Sequence, residues 1–361
     1  MQQIKPAISV IIPCYNANDF LPKLVACFAQ QTFNNFELLL VNDGDVSQIS
    51  IMEQLQKING KIRIIHKENG GVSSARNAGI DAALGEWIVF TDQDDEVKPF
   101  YLQSLYDVVT KNNADIAIGG FTQIYLQEKR TCEYFIESEN DNIYSKKEVF
   151  EMLNRLCYGS IWNKIYNTDF LRKSQCKFLS TSYYEDIIFI TTLFVATNLK
   201  IVLLKDCGYI WLMRDSQSVS SKYKQSFTSD VLKMISLHRQ LFEQFSWDEK
   251  QVENFLNRLY YFEGYFICCN FFKKGSDLSF RQQIGLIKKD ILENKEIVSA
   301  VYNHDKTNDN FFTKLYNTSV RTNNAIIIAA IFKIFYWLKY HFFGIYIQLI
   351  PFLKGYKKIQ N

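Results

Sequence analysis

The sequence predicts an α/β fold: a mostly parallel sheet with helices on both faces, followed by a helical C-terminal region. Three observations predict it. Apolar runs of strand length alternate with helical patterns through the first hundred residues. Polar residues gather where successive strands end: Tyr15 and Asn16, then Asp43, then Asn69, then Asp92 and Asp94. Beyond Thr228 the pattern becomes helical and rich in aromatic residues. Repeated strand–helix units imply parallel pairing with both faces covered. Ligands of such sheets bind beyond the carboxyl ends of the strands.

Ile8-Ser9-Val10-Ile11-Ile12 reads as the first strand, closed by Pro13. Phe20 to Gln31 has helical spacing, with Leu21, Leu24, Val25 and Phe28 on one face. Glu37 to Val41 is a second strand, ending at Asn42-Asp43-Gly44. A helix from Ile49 to Ile58 leads to a third strand, Ile62 to Ile65. Gly70-Gly71 precedes a helix from Val72 to Leu84, and glycines there let backbone approach a ligand closely. Trp87 to Thr91 is the fourth strand. Pro99 opens a helix to about Lys111, and Ala114 to Phe121 is a further strand. Residues 122–145 are polar and poorly periodic, the pattern of a hairpin or irregular excursion. Residues 146–172 read as mainly helical, and Ile201 to Leu204 as a short strand. The resulting division is a sheet domain at 1–225, a helical region at 226–320 and an apolar, basic tail at 321–361.

The composition narrows the function classes. At 361 residues and 47% hydrophobic, the chain has ample material for a core. A net charge of +3 is too small to argue for nucleic acid as a partner. Eight cysteines show no framework spacing, and four scattered histidines give no zinc pattern. With no leader pattern at Met1-Gln2-Gln3-Ile4-Lys5, free thiols in a reducing cytoplasm are expected.

Asp92-Gln93-Asp94-Asp95 stands where the fourth strand runs out. Residues two apart in extended backbone point the same way, so Asp92 and Asp94 can face one site. Paired hard oxygens suit Mg²⁺ or Mn²⁺, which also bind substrate phosphates. An Asp-rich turn before Pro99 could equally cap a helix. The strand-end position, level with Tyr15 and Asp43, favours the metal.

The chain resembles the inverting glycosyltransferases of family 2, which have the GT-A fold. The resemblance is carried by Ser9-Val10-Ile11-Ile12-Pro13-Cys14-Tyr15-Asn16, Gln30-Gln31-Thr32-Phe33 through Glu37, and Val41-Asn42-Asp43-Gly44. It continues through Glu68-Asn69-Gly70-Gly71-Val72-Ser73-Ser74-Ala75-Arg76-Asn77-Ala78-Gly79 and the Asp92-Gln93-Asp94-Asp95 stretch. Trp162-Asn163-Lys164-Ile165-Tyr166 and Tyr184-Glu185-Asp186-Ile187-Ile188-Phe189 complete it, so it spans roughly residues 7–220. It implies transfer of a hexosyl or N-acetylhexosaminyl group from a UDP-sugar to a hydroxyl on a glycan or lipid-linked acceptor. It places the nucleotide at Pro13, Tyr15 and Asp43, with Tyr15 against the base and Asp43 accepting the uracil N3–H. Base-on-aromatic stacking is favourable by ~1–3 kcal/mol. Asn42 replaces the first of the family's usual two aspartates, a mild departure. Arg76 is implied near the diphosphate or the aspartates, Asp94 on the metal, and Asp92 on the ribose or a metal-bound water. Asp186 is implied as the base that inversion requires, with Glu185 supporting it.

No Arg-Trp dipeptide occurs, so the Gln-x-x-Arg-Trp signature of processive synthases is missing and one sugar per encounter is expected. Two alternatives stand beside this expectation: a non-catalytic sugar-nucleotide-binding subunit, and a sugar nucleotidyltransferase. The second lacks its N-terminal Gly-rich loop here. The tail begins with the wholly apolar Ala325-Ile326-Ile327-Ile328-Ala329-Ala330-Ile331-Phe332, and Lys333, Lys339 and His341 then interrupt the apolar run up to residue 353. A span needs ~20 mostly apolar residues, and a central Lys costs ~2.5–3.5 kcal/mol. Attachment to a membrane surface, with lysines including Lys354, Lys357 and Lys358 at the headgroups, is favoured over a packed helix or a true span. The expected location is the cytoplasm, peripheral on the inner face of the cell membrane.

Overall fold

The computed structural model describes residues 5–137, 142–153, 155–181, 183–214, 222–304, 309 and 311–341. It contains two compact units, Met1–Asp215 and Ser216–Asn361.

The first unit opens with four parallel strands, β1 (Ile8–Cys14), β2 (Phe36–Asp43), β3 (Ile62–Lys67) and β4 (Trp87–Phe90), in the order β3-β2-β1-β4. Every residue of β1 and β2 is buried, which is why both are largely apolar and show no in–out alternation. The connections are α1 (Leu21–Ala29), α2 (Ile49–Ile58) and α3 (Gly71–Ala82). In α1, Pro22 sits in the first turn and Leu21, Leu24, Val25 and Phe28 bury one stripe. α3 lies hard against β1: a Cβ added at Gly79 would stand 2.3 Å from Cγ2 of Ile11.

Pro13 does not end β1. It is buried inside the strand, paired with Val41 of β2. β4 pairs with β1 only as far as Ile11. Past that point one flank of β1 carries no ladder, so a residue without an N–H is tolerated.

The sheet then continues in mixed fashion. The elements are β5 (Glu96–Val97), α4 (Tyr101–Asn112), β6 (Ile116–Tyr125), β7 (Arg130–Tyr134), β8 (Ile143–Tyr144), α5 (Lys146–Met152), α6 (Arg155–Gly159), β9 (Lys164–Asn167), α7 (Thr168–Ser174), α8 (Glu185–Ala196) and β10 (Ile201–Met213). The strand order beyond β4 is β9-β6-β10-β5, with β7 on β6 and β8 on β10. The end of β6 and β7 form a hairpin within the polar stretch, Phe121 pairing Tyr134 and Tyr125 pairing Arg130.

The structure refines two expectations. Residues 146–172 are mainly helical, in α5, α6 and the start of α7, but β9 interrupts them and lies antiparallel between β4 and β6. A four-residue strand carries no readable period. Buried hydrogen bonds pin it instead: Asn163 Nδ2 donates to the carbonyl of Gly119 at 2.8 Å, and the Tyr101 hydroxyl donates to that of Trp162 at 2.6 Å. β10 also runs far past Leu204. A register shift between Leu204 and Tyr209 carries it around Asp206-Cys207-Gly208, hiding the alternation.

The second unit is helical: α9 (Phe227–Glu243), α10 (Glu249–Asn270), α11 (Phe280–Ile287), a π turn at Lys288–Leu292, α12 (Lys295–Asn303), α13 (Phe311–Arg321) and α14 (Ala325–His341). Capping boxes start α10 at Asp248 and α11 at Ser279. Its core is aromatic. Tyr261 stacks on His304 at 3.5 Å, and Phe272 packs against Phe332 and Tyr336 of α14. α14 buries Ile328, Ala329, Phe332 and Tyr336, while Ile326, Ile327, Ile334 and Trp337 stay exposed. Among the described residues no helix is long and apolar enough to cross a membrane. The remainder of the tail, residues 342–361 with Lys354, Lys357 and Lys358, lies outside the described residues.

Candidate active site

The polar edge forms where β1, β2, β3 and β4 end. Asp43 closes β2 and is buried. Its Oδ1 accepts from the Gly70 N–H at 3.0 Å and from Lys67 Nζ at 2.5 Å, and its Oδ2 accepts from the Gly71 N–H at 2.7 Å. The two glycine amides are therefore spent on Asp43, at the start of α3. Three donors already occupy a carboxylate that has about four acceptor positions. Asn42 serves the turn: its Oδ1 accepts from the Asp45 N–H at 2.9 Å and from Gln48 Nε2 at 2.8 Å. Gly44, at φ 79°, brings this turn against Asn69, whose backbone nitrogen would lie 2.5 Å from an added Cβ.

Tyr15 is 55% exposed, two residues beyond the buried Pro13. Its peptide is gripped by Gln93: the Tyr15 N–H donates to Oε1 at 2.9 Å and Nε2 donates to the Tyr15 carbonyl at 2.8 Å. The middle residue of the Asp-x-Asp stretch thus ties the end of β1 to the end of β4.

Arg76 of α3 is 3% exposed. One terminal nitrogen donates to Asp186 Oδ1 at 2.6 Å, and the other to Asp92 Oδ1 at 3.0 Å. Glu185 lies 3.9 Å away, and the guanidinium sits 5.3 Å from the Phe178 ring centre. Its Nε has no partner among the described residues. Burial opposes its charge, but Asp186, Asp92 and Glu185 together outweigh that and hold its pKa above the ordinary arginine value. The sequence left Arg76 between diphosphate and aspartates; the aspartates hold it.

Asp186 and Glu185 open α8. Burial pushes the Asp186 carboxyl up to about 7, with Arg76 pulling it down and Glu185 and Asp92 adding repulsion. Its side chain still keeps 27% exposure, so a small molecule can reach it. Asp94 is the most open of the strand-end carboxylates, 41% exposed, and accepts from Arg214 at 2.9 Å. Burial and then the neighbouring Asp92 raise its pKa, with Arg214 opposing. Asp95 does not cap a helix. It is buried, accepts from the Tyr209 hydroxyl at 2.7 Å and the Leu212 N–H at 2.8 Å, and so braces β10. Burial raises its pKa well above the usual carboxylate range.

Sequence reading missed Gln93, Lys67, Tyr209 and Arg214. Gln93 was in plain view as the variable position of Asp-x-Asp. Arg214 and Tyr209 were lost when the strand was ended at Leu204; apolar residues from Tyr209 to Met213 were the signal for continuing it. Lys164 was quoted for its motif but given no role. It is fully buried, donating to the carbonyls of Cys157 and Ser160 and to Asn163 Oδ1, and burial lowers its pKa to about 7.

This arrangement matches known proteins. The family model described as "Glycosyl transferase family 2" matches residues 9–174. Glycosyltransferase GlyG of Streptococcus pneumoniae serotype 4 is 28% identical over 238 residues, 63% of this chain and 78% of that protein. An uncharacterized glycosyltransferase of Bacillus subtilis, EpsJ, is 30% identical over 235 residues, 63% of this chain and 67% of its own length. Among solved structures, S. aureus TarS 1–349 in complex with UDP superimposes with a TM-score of 0.64 at 16% identity, covering 90% of each chain. The fold is therefore GT-A, and its polar strand ends lie within or beside the stretch that the family match covers. This chain belongs to glycosyl transferase family 2 and is a glycosyltransferase of glycan biosynthesis.

Proposed function

We propose that the chain is an inverting, non-processive transferase that moves a hexosyl or N-acetylhexosaminyl group from a UDP-sugar to a hydroxyl of a surface-glycan or lipid-linked acceptor. One observation carries this reading: buried Arg76 joins Asp92, at the end of β4, to Asp186, at the start of α8. The donor-side and acceptor-side carboxylates thereby belong to one site. The solved TarS complexes with UDP and with UDP-GlcNAc support a uridine donor.

In this reading the acceptor oxygen attacks the anomeric carbon from the side opposite UDP. The bond from that carbon to the diphosphate breaks, its electron pair leaves with UDP, and the hydroxyl proton passes to Asp186. A carboxylate held near 7 by burial is a competent base at neutral pH. Arg76 aims Asp186 and keeps its charge compensated until the proton arrives. Tyr15, exposed and fixed by Gln93, offers its ring to the base, and Asp43 has room for one more donor.

Asp92 and Asp94 fit Mg²⁺ or Mn²⁺ as hard oxygen donors, each part-exposed and each facing an arginine whose charge a cation could replace. Among the described residues no group of three or more His, Cys, Asp or Glu gathers as a closed cage. Two carboxylates completed by water and substrate phosphate is the arrangement Mg²⁺ ordinarily takes. When bound, such an ion would neutralise the leaving diphosphate.

The test is UDP release from a panel of UDP-sugars, with and without divalent metal. Turnover with any donor is expected, Asp94→Ala should abolish it together with metal-dependent UDP binding, and Asp186→Asn should abolish transfer while sparing UDP binding. Active Asp186→Asn would remove the assigned base. The exposed face of α14 supports a peripheral position on the inner face of the cell membrane, near a lipid-linked acceptor.

A further inference from the structure

The helical unit contains a cavity of about 590 Å³ that the transfer chemistry leaves unused. It lies among α9, α10 and α12, and its volume is in the ordinary range of small-molecule sites, about 300–1,000 Å³. Val252, Leu256 and Tyr260 follow one another at four-residue spacing along α10, so this side of the cavity extends roughly 12 Å at 1.5 Å per residue. Trp247 lies just before that row, and Tyr260 lies at its far end. Both rings are partly exposed.

The charged residues are the second observation. Glu243, Glu249, Glu253 and Glu296 line the cavity with Arg239 and Lys295. Among the described residues none of these four carboxylates forms an ion pair within 4.0 Å. Four unpaired carboxylates against two cations disfavour any anionic ligand, including a nucleotide, a phosphate-linked polymer or an anionic headgroup. They favour a ligand that donates many hydrogen bonds while presenting flat C–H faces to aromatic rings. Charge-assisted bonds from hydroxyls to ionised carboxylates are the stronger kind.

We propose that this cavity is a saccharide-binding site for a neutral stretch of the acceptor glycan, separate from the site of transfer. The ligand class rests on the glycosyltransferase reading above. The site would hold two or so sugar rings between Trp247 and Tyr260, with Glu253 and Glu296 accepting from their hydroxyls. Its effect on transfer is to raise the affinity for longer acceptors while leaving the chemistry at Asp186 unchanged.

The experiment is saturation-transfer NMR on the full chain. The probes are neutral α- and β-linked gluco-, galacto- and N-acetylglucosamine disaccharides and trisaccharides, beside glucuronate-containing and glycerol-phosphate oligomers. At least one neutral probe should receive saturation, and the anionic ones should not. Glu253→Gln, an exposed change that leaves the helix intact, and Trp247→Ala should each weaken that binding by tenfold or more. UDP binding and UDP-sugar hydrolysis should be unchanged in both variants. The proposal is overturned if no neutral probe is saturated, if anionic probes bind equally well, or if Glu253→Gln binds as wild type does. Hydrolysis of UDP-sugars by the wild type is a separate readout. Its failure would count against the transferase reading, whereas probe binding reports on the cavity alone.

Discussion

Arg76 donates to Asp186 and Asp92 through separate nitrogens, so loss of its guanidinium leaves two carboxylates facing each other in a poorly solvated place. Arg76→Met should destabilise the chain by about 3–5 kcal/mol, the cost of breaking a buried pair from one side. Urea denaturation at pH 7 reads this, and a smaller deficit at pH 5, where Asp186 takes up a proton, identifies charge rather than packing as the cause. An equal deficit at both values would refute it. Asp186 sets a second prediction. Its carboxyl is raised to about 7 from an ordinary 3.8, so between those values the folded chain binds more protons than the unfolded one. Stability from this group therefore declines as pH rises through that window, and Asp186→Asn should flatten the slope. The same titration gives kcat/KM an acid limb: transfer should fall tenfold per pH unit below about 7. A flat profile between pH 5 and 7 would show that Asp186 is not the group that takes the proton.

At the scale of elements, β9 decides whether the two parts of the sheet join, because it pairs with β4 on one side and β6 on the other. Lys164 is its first residue, and its ammonium satisfies two carbonyls and the Asn163 amide oxygen in a fully buried place. Lys164→Met keeps the stem and removes the donors, leaving buried acceptors unpaired at about 1–3 kcal/mol each. It also removes a pH dependence. Burial lowers the lysine to about 7 from 10.5, so over that interval the unfolded chain binds more protons and stability rises with pH. Thermal melts at pH 7 and 9 should show that rise in wild type and lose it in Lys164→Met; an unchanged rise would assign it elsewhere. β9 also shows why this half of the sheet was hard to read. α1 announces itself by a one-sided stripe and β1 and β2 by largely apolar runs, because one face of the helix and the whole of each strand are buried. β9 is held by contacts to Gly119 and Cys157 that are distant or irregular in sequence, and no local period reports them.

At the scale of the whole molecule, the same distinction separates what was legible from what was not. Tyr15, Asp43, Asp92 and Asp94 were visible because parallel strands must end at one edge, and a polar residue after an apolar run marks that end. Their partners were not visible. That Asp43 is occupied by Lys67 and two glycine amides, and that Arg214 reaches Asp94, depends on turns and a bulge that only the folded backbone defines. The apolar tail was legible as a stretch but not as a face. α14 resolves part of it into two sides: Ile328, Ala329, Phe332 and Tyr336 inward, and Ile327, Ile334, Trp337 and Leu338 outward at spacings of three, four and seven. An exposed stripe that includes Trp337, with Lys333 and Lys339 on the same helix, has the composition of a helix lying in a membrane interface. The full chain should therefore float with phosphatidylglycerol vesicles at low salt and be released in part at 0.5 M salt, because screening weakens the lysine contribution but not the apolar one. Ile334→Asp with Trp337→Asp changes only exposed positions, so folding and UDP binding should survive while vesicle binding falls tenfold or more. Wild-type chain that stays in the soluble fraction with anionic vesicles, or a double variant that floats as well as wild type, would mean that this face meets something other than lipid.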